Sequence, residues 1–307
     1  VKGYGDPFLV SEELTIIARS IASRLKERGI YKLGEICLDT SYFAGNIKLP
    51  GTARSNNPYD AYPSALAANF NTIFARRKNG DIVSADEQTP ITANARSIYT
   101  NMQGHLERVN TGPDHKIAER YFAELLAEFL RREEVEVEDE VSWGKIPSGL
   151  PLTYRHLNSR TLASVIKPMM KYSTNFIANQ LALKLGAEYH GAPASSNKVT
   201  LSLKEQLTTE FGWEFFFLED GAGLSRANKI SPAQLVDVLG RFRSWKYLLP
   251  EIEPGIYAKS GSLIGISALA GYIKKQDGYR PFAVIINQKT PYRFRNKLAV
   301  ELGKQAD

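Results

Sequence analysis

The sequence predicts an α/β chain of the α+β kind, built in two parts: a mixed α/β first half, then helices, an antiparallel sheet and a closing helix. Three observations carry this. Stretches with apolar residues every three or four positions are interleaved with stretches patterned every second position. The run 255–288 reads as three consecutive strands, 255–260, 266–275 and 281–288, with a turn at Gln276-Asp277-Gly278. Residues 144–155 carry Gly144, Pro147, Gly149 and Pro151, which places a boundary near residue 153. The 307 residues suit two domains at a prior of roughly 150 residues each.

Taken in order, 11–28 is an amphipathic helix. Leu14, Ile17, Ile21 and Leu25 share a face, Ser11 is placed to cap it and Gly29 to stop it. Ile36 and Leu38 mark a strand ending at Asp39. Residues 44–64, rich in Gly, Pro, Asn and Tyr, form a loop. Thr72, Ile73 and Phe74 tilt 65–75 towards strand. The run Arg77-Lys78-Asn79-Gly80-Asp81 is a hairpin turn. Residues 115–132 form a strong helix, with Ile117, Tyr121, Leu125 and Phe129 spaced by four. In 133–141, acids alternate with Val135, Val137 and Val141, as in a strand exposed on one face.

In the second half, 161–171 is helical, and Pro168 implies a kink or a break. A helix at 174–186 is expected to end at Gly186, and another spans 200–211. Residues 231–248 are helical behind the cap Ser231 and Pro232, and 291–303 closes the chain.

Composition excludes several classes. Apolar residues at 43% and charged residues at 23% belong to a globular chain rather than a disordered or fibrous one. The net charge is +6, but the basic residues are scattered, and Arg76-Arg77-Lys78 and Arg131-Arg132 read as solvated faces, so no nucleic-acid partner is expected. No stretch approaches the ~20 apolar residues of a membrane span. The chain opens VKGYGDPFLV, without Met and without the pattern of a signal peptide. A mature, processed or cut form is therefore expected.

Cys37 is the only cysteine, which excludes an intrachain disulfide framework; in a β-like run it is expected to be buried. His105, His115, His156 and His190 have no metal-ligand spacing, and no metal or organic cofactor is implied. Trp213 with Phe215, Phe216 and Phe217 reads as core strand.

Chemistry concentrates in three short signals of the second half. These are Ser173-Thr174-Asn175, the loop Asp220-Gly221-Ala222-Gly223-Leu224-Ser225-Arg226, and Lys259-Ser260-Gly261-Ser262 on a strand. Each alone has a bland reading. Ser173 would be a helix cap, Asp220 a turn-former and Lys259 a solvated edge residue. Their order and spacing make them informative together.

The set resembles the serine penicillin-recognising enzymes, and within them the D-alanyl-D-alanine carboxypeptidase/endopeptidase family of the penicillin-binding protein 4 type. Lys171 to Leu181 is similar to that family's second motif and flank, Asp220 to Arg226 to its DGSGLSR loop, and Ala258 to Leu263 with Leu269 to Tyr272 to its third motif. Gly5-Asp6-Pro7, Gly34 to Asp39 with Phe43, and Tyr62 to Leu66 with Asn69 and Asn71 resemble the domain that the family inserts between its first and second motifs.

The resemblance implies a β-lactamase/transpeptidase-like domain over 154–307, with an antiparallel sheet flanked by helices, and an inserted mixed α/β domain over 1–153. It also implies roles. Ser173 would relay a proton to the leaving amine, Asn175 would bond the substrate backbone, and Lys259 would supply positive charge. The Ser260 hydroxyl would hold the terminal carboxylate. The Ser262 N–H would be half of the oxyanion hole, with Gly261 allowing close approach; Asp220 and Gly221 would belong to the site or only to its loop.

The sequence departs from the family. The S-x-x-K motif, which carries the nucleophile, lies upstream of the segment matching Gly5-Asp6-Pro7. The strings starting at Ser23, Ser142, Ser164 and Ser195 stand in the wrong places, so no nucleophile is assigned in this chain. Thr174 replaces Asp, Ser260 replaces Thr and Ala222 replaces Ser, and Leu248 to Lys259 is shorter than the family's glycine-rich roof.

Two functions follow as expectations. One is a serine-type D-Ala-D-Ala carboxypeptidase/endopeptidase acting on peptidoglycan stem peptides by an acyl-enzyme route, truncated before its nucleophile. The other is a catalytically inactive homologue that binds peptidoglycan or a partner. The resemblance further implies β-lactam binding if the nucleophile is present in the full protein, a periplasmic or cell-envelope location and a possible homodimer. A chance-motif reading predicts instead that Ser173 and Lys259 lie far apart.

Overall fold

The computed structural model describes residues 1–102 and 104–304. Its first helix, α1 (Ser11–Lys26), buries Leu14, Ala18 and Ala22, with Ile17, Ile21 and Leu25 beside them, as the spacing predicts. Ser11 is not its cap. Val10 holds that position, and the buried Ser11 is the first helical residue. Its N–H donates to Asn69 Oδ1 at 3.0 Å and its hydroxyl meets Thr89 Oγ1 at 2.6 Å. The helix end is thus satisfied by side chains remote in sequence.

Strand β1 (Lys32–Leu38) buries Ile36 and Leu38, and the period of two turns Cys37 outward. The thiol is exposed, contrary to the expected burial. The 44–64 stretch is a loop apart from a 3-10 turn at Pro58–Asp60. The next strand, β2 (Thr72–Lys78), starts later than expected, because Asn69, Phe70 and Asn71 adopt left-handed backbone with φ of 49°, 62° and 51°. The hairpin at Asn79-Gly80 leads into β3 (Asp81–Ser84), with Lys78 opposite Asp81.

After α2 (Ala93–Thr100) and β4 (Leu106–Asn110) comes α3 (His115–Arg132), with the predicted bounds. It is followed by β5 (Glu136–Trp143), which pairs in parallel with β1. A second, antiparallel sheet has the order β3-β2-β4. Apolar residues of α1, α3 and both sheets, including Leu14, Ile73, Tyr121 and Phe129, form one large cluster.

The second half opens with α4 (Leu162–Tyr172), which runs through Pro168 and breaks only at Ser173. α5 (Asn175–His190) continues past Gly186, which is a packing glycine rather than a terminator. A Cβ there would lie 3.1 Å from the Lys198 and Val199 backbone of α6 (Ser196–Phe211). Gly191 is the actual cap residue.

The aromatic run after α6 is not a strand. Trp213 is buried and stacks on Phe211, whereas Phe215 is 88% exposed. α7 (Pro232–Phe242) starts with a capping box at Ser231 and Gln234 and gives way to a 3-10 turn at Arg243–Leu248, so 231–248 is two elements. Four antiparallel strands follow in sequential order: β6 (Glu251–Glu253), β7 (Ile256–Leu263), β8 (Ile266–Lys275) and β9 (Gly278–Ile286). α8 (Phe294–Lys304) lays Ala299 and Val300 against one face of this sheet. The other face meets Leu239 and Phe242 of α7 and Met170 of α4.

Two further clusters involve both parts of the sequence. Phe43, Ile47, Leu49 and Ala65 pack on Leu183, Ala187 and Val199, and Ala61 and Ala67 pack on Val165, Phe176 and Ile177. None of the described helices is long and apolar enough to cross a membrane.

Candidate active site

Ser173 sits between α4 and α5 in left-handed backbone, φ 54° and ψ 50°. Its N–H returns to the Met169 carbonyl and closes α4. The cap of α5 is Thr174, whose side chain makes no capping bond. The Ser173 hydroxyl therefore caps neither helix. It is exposed and accepts a hydrogen bond from Lys259 Nζ, 86 positions away in the chain. The chance-motif reading, which needs these side chains apart, fails on this contact.

Lys259 is presented by β7. Alternation along the strand puts Ile256 and Ala258 in the cluster under α8, so Lys259 faces the opposite side, towards the end of α4. Its ammonium also donates to the Ser260 carbonyl at 2.6 Å. No acidic side chain pairs with it among the described residues. Burial holds its pKa below that of a free lysine, and the positive Arg295 adds to the effect.

β6 covers β7 only as far as Tyr257, with Glu251 opposite Tyr257 and Glu253 opposite Ile256. Beyond that point the edge of β7 that carries Lys259, Ser260, Gly261 and Ser262 has no neighbouring strand among the described residues, while the other edge pairs with Ala270, Leu269, Ala268 and Ser267. An open edge beside a serine–lysine pair can take an extended peptide by backbone bonds. The hairpin Glu251–Ile256 before Lys259 is short, as the brevity of Leu248 to Lys259 in the sequence leads one to expect.

Asn175 lies one residue into α5. Its Nδ2 donates to the Tyr59 carbonyl at 3.1 Å, which leaves Oδ1 without a partner among the described residues. Ser260 and Ser262 line a cleft of about 550 Å³ on the α8 side, together with Ser267, Thr290 and Arg295. Arg295 Nη1 donates to the Gly261 carbonyl at 2.6 Å and to Ser262 Oγ at 2.7 Å.

The glycine-rich loop behaves differently. Asp220 is buried, and its carboxylate accepts the Leu224 N–H at 2.7 Å and the Asn228 amide at 2.5 Å, so it folds its own loop. Gly221 N–H donates to Asn179 Oδ1, and a Cβ at Gly221 would meet the Ala178 carbonyl at 2.3 Å. Arg226 reaches from this loop to the Ile264 carbonyl at the β7–β8 turn, 2.9 Å away.

The structure thus joins Ser173 to Lys259, puts Ser260, Gly261 and Ser262 on the adjoining open edge and turns Asp220 inward. Sequence reasoning missed Tyr59 and Arg295. Neither lies in a motif, and only the packing of the 44–64 loop and of α8 brings them in.

The Ser-x-x-Lys strings lie elsewhere. Ser23 bonds Glu27 on α1, Ser164 bonds the Thr161 carbonyl on α4, Ser195 caps α6, and Ser142 is on β5.

Comparison with known proteins gives concordant results. The profile of the D-Ala-D-Ala carboxypeptidase 3 (S13) family matches residues 1–106 and 114–253, up to the strand before Lys259. The D-alanyl-D-alanine carboxypeptidase DacB of Haemophilus influenzae is 27% identical over 94% of this chain and 71% of its own length. The D-alanyl-D-alanine carboxypeptidase of an Actinomadura species is 28% identical over 59% of this chain, and the match spans 40% of that protein.

The crystal structure of penicillin binding protein 4 (dacB) from Haemophilus influenzae matches at a TM-score of 0.76 and 24% identity, over 99% of this chain and 82% of that one. A second structure of that protein, complexed with a β-lactam, matches at 0.69. At such identity the likeness establishes the fold, a penicillin-recognising transpeptidase-like arrangement of antiparallel sheet and helices. The profile covers well over half of the residues, and the chain belongs to the D-Ala-D-Ala carboxypeptidase 3 (S13) family.

Proposed function

We propose that the protein is a serine-type D-Ala-D-Ala carboxypeptidase/endopeptidase that acts on peptidoglycan stem peptides in the periplasm or cell envelope by an acyl-enzyme route. In this reading residues 1–153 form the family's inserted domain and 154–307 the penicillin-binding part. The observation that carries it is the Lys259–Ser173 contact beside the open edge of β7, in a chain of this family.

The roles are those that the resemblance implies, and the contacts around Ser173 and Lys259 support them. Lys259, desolvated and with no acidic partner among the described residues, holds the Ser173 hydroxyl, which passes a proton to the leaving amine. Asn175 Oδ1 accepts from a substrate N–H. The edge of β7 aligns the peptide, the Ser262 N–H meets the oxyanion, and the Ser260 hydroxyl meets the carboxylate of the departing residue. The acylated serine is that of the family's first motif, a position that Ser23, Ser142, Ser164 and Ser195 do not occupy.

The test is intact-mass analysis of the protein, expressed from its whole reading frame, after incubation with a fluorescent penicillin. One covalent adduct on a serine is expected. Binding without an adduct favours the non-catalytic reading, in which the open edge only holds a peptide. Neither adduct nor binding contradicts both.

A further inference from the structure

Arg295 stands on the first turn of α8, 36 positions after Lys259 (295 − 259 = 36) and outside every motif. One of its nitrogens, Nη1, donates to three oxygens: the Gly261 carbonyl at 2.6 Å, Ser262 Oγ at 2.7 Å and Ser267 Oγ at 3.2 Å. It is half-buried, and among the described residues no carboxylate pairs with it. Through Nη1 its guanidinium is held at the tip of the β7–β8 pair.

The Gly261 carbonyl and the Ser262 N–H belong to one peptide unit. A trans peptide points these groups in opposite directions. With the carbonyl drawn towards Arg295 and Ser267 of β8, the Ser262 N–H is directed to the other side of β7, the edge with no neighbouring strand among the described residues. A charged donor on the carbonyl fixes the plane of the unit and polarises its N–H, which strengthens that group as a donor.

We infer that Arg295 is a positioning residue for acyl transfer: it locks the Gly261–Ser262 peptide so that the Ser262 N–H meets the developing oxyanion. The inference rests on the function proposed above. It assigns to Arg295 a part in the rate of the bond-making step rather than in substrate affinity.

The test compares the whole-reading-frame protein with Arg295→Ala and Arg295→Lys, using a fluorescent penicillin as acylating probe and the NMR shift of the Ser262 amide proton as a second readout. Removing an oxyanion donor outright costs about 100-fold or more, so loss of its support is expected to lower the saturating acylation rate by about tenfold. Half-saturation should change less than about twofold, and Arg295→Lys should recover part of the rate. The Ser262 amide proton should move upfield in Arg295→Ala.

An unchanged rate in folded Arg295→Ala, or a loss confined to half-saturation, overturns the inference. If Arg295→Ala does not fold, Arg295→Gln gives the same comparison without the charge. If the parent is not acylated, that failure belongs to the proposed function, and the amide shift decides: an unmoved Ser262 signal overturns the inference and a moved one supports it.

Discussion

Left-handed backbone at Ser173 costs an L-residue about 1 kcal/mol, yet the serine is placed there with its hydroxyl free of both helices. Glycine relieves that strain but costs about 0.5–1 kcal/mol through the freedom of the unfolded chain. Ser173→Gly is therefore expected to leave the melting temperature almost unchanged while acylation falls by about 100-fold. Ser173→Val, branched at Cβ, should lower the melting temperature as well. Equal destabilisation by the two variants, measured by thermal unfolding, would contradict the described backbone.

Lys259 gives a titration prediction. Burial, then the charge of Arg295, depresses its pKa below 10.5. Between the depressed value and 10.5 the unfolded chain binds more protons than the folded one. The lysine's contribution to stability therefore rises with pH across that window and is flat below it. NMR titration of the Lys259 side chain should give a value under that of free lysine, and Arg295→Ala should move it up; a value at or above 10.5 contradicts the desolvated site.

Among the elements, the β7–β8 pair and the loop 220–226 depend on close approaches that only glycine allows. Gly221→Ala would drive a Cβ to 2.3 Å from the Ala178 carbonyl of α5, and is expected to cost about 1–3 kcal/mol by lifting the loop. Gly240, inside α7 with no atom near its missing Cβ, is the control: Gly240→Ala should stabilise by about 0.5–1 kcal/mol. Chemical denaturation measures both, and a cost at Gly240 equal to that at Gly221 would refute the packing argument.

The elements also show what a sequence reveals. α3 was legible to the residue because its four-residue spacing is unbroken and Asp114 caps it. The start of β2 was hidden, because a left-handed Asn69-Phe70-Asn71 run is held by long-range bonds such as the Asn69 N–H to the Leu9 carbonyl, 3.0 Å. Gly186 looked like a stop signal and is a contact with α6. Ser173 and Lys259 were legible because motif order survives in the sequence. Arg295 and Tyr59 were not, since their places come from tertiary packing alone.

For the whole molecule, the two parts are joined by buried side chains. Phe43 is 5% exposed, its backbone bridges Ala194, and its ring packs against Gly5. Phe43→Ala is expected to cost about 3–5 kcal/mol, seen as a lower denaturation midpoint. A loss under about 1 kcal/mol would show that the cluster with Leu183 and Val199 does not bind the halves.

The placing of Ser173 and Lys259 at the open edge of β7 is the claim on which function depends. Its most direct test is the release of D-alanine from a stem pentapeptide by the whole-reading-frame protein and by Lys259→Ala and Ser173→Ala variants that melt like the parent. The account predicts release by the parent and a loss of about 100-fold or more in each variant. Release undiminished in either variant would contradict it.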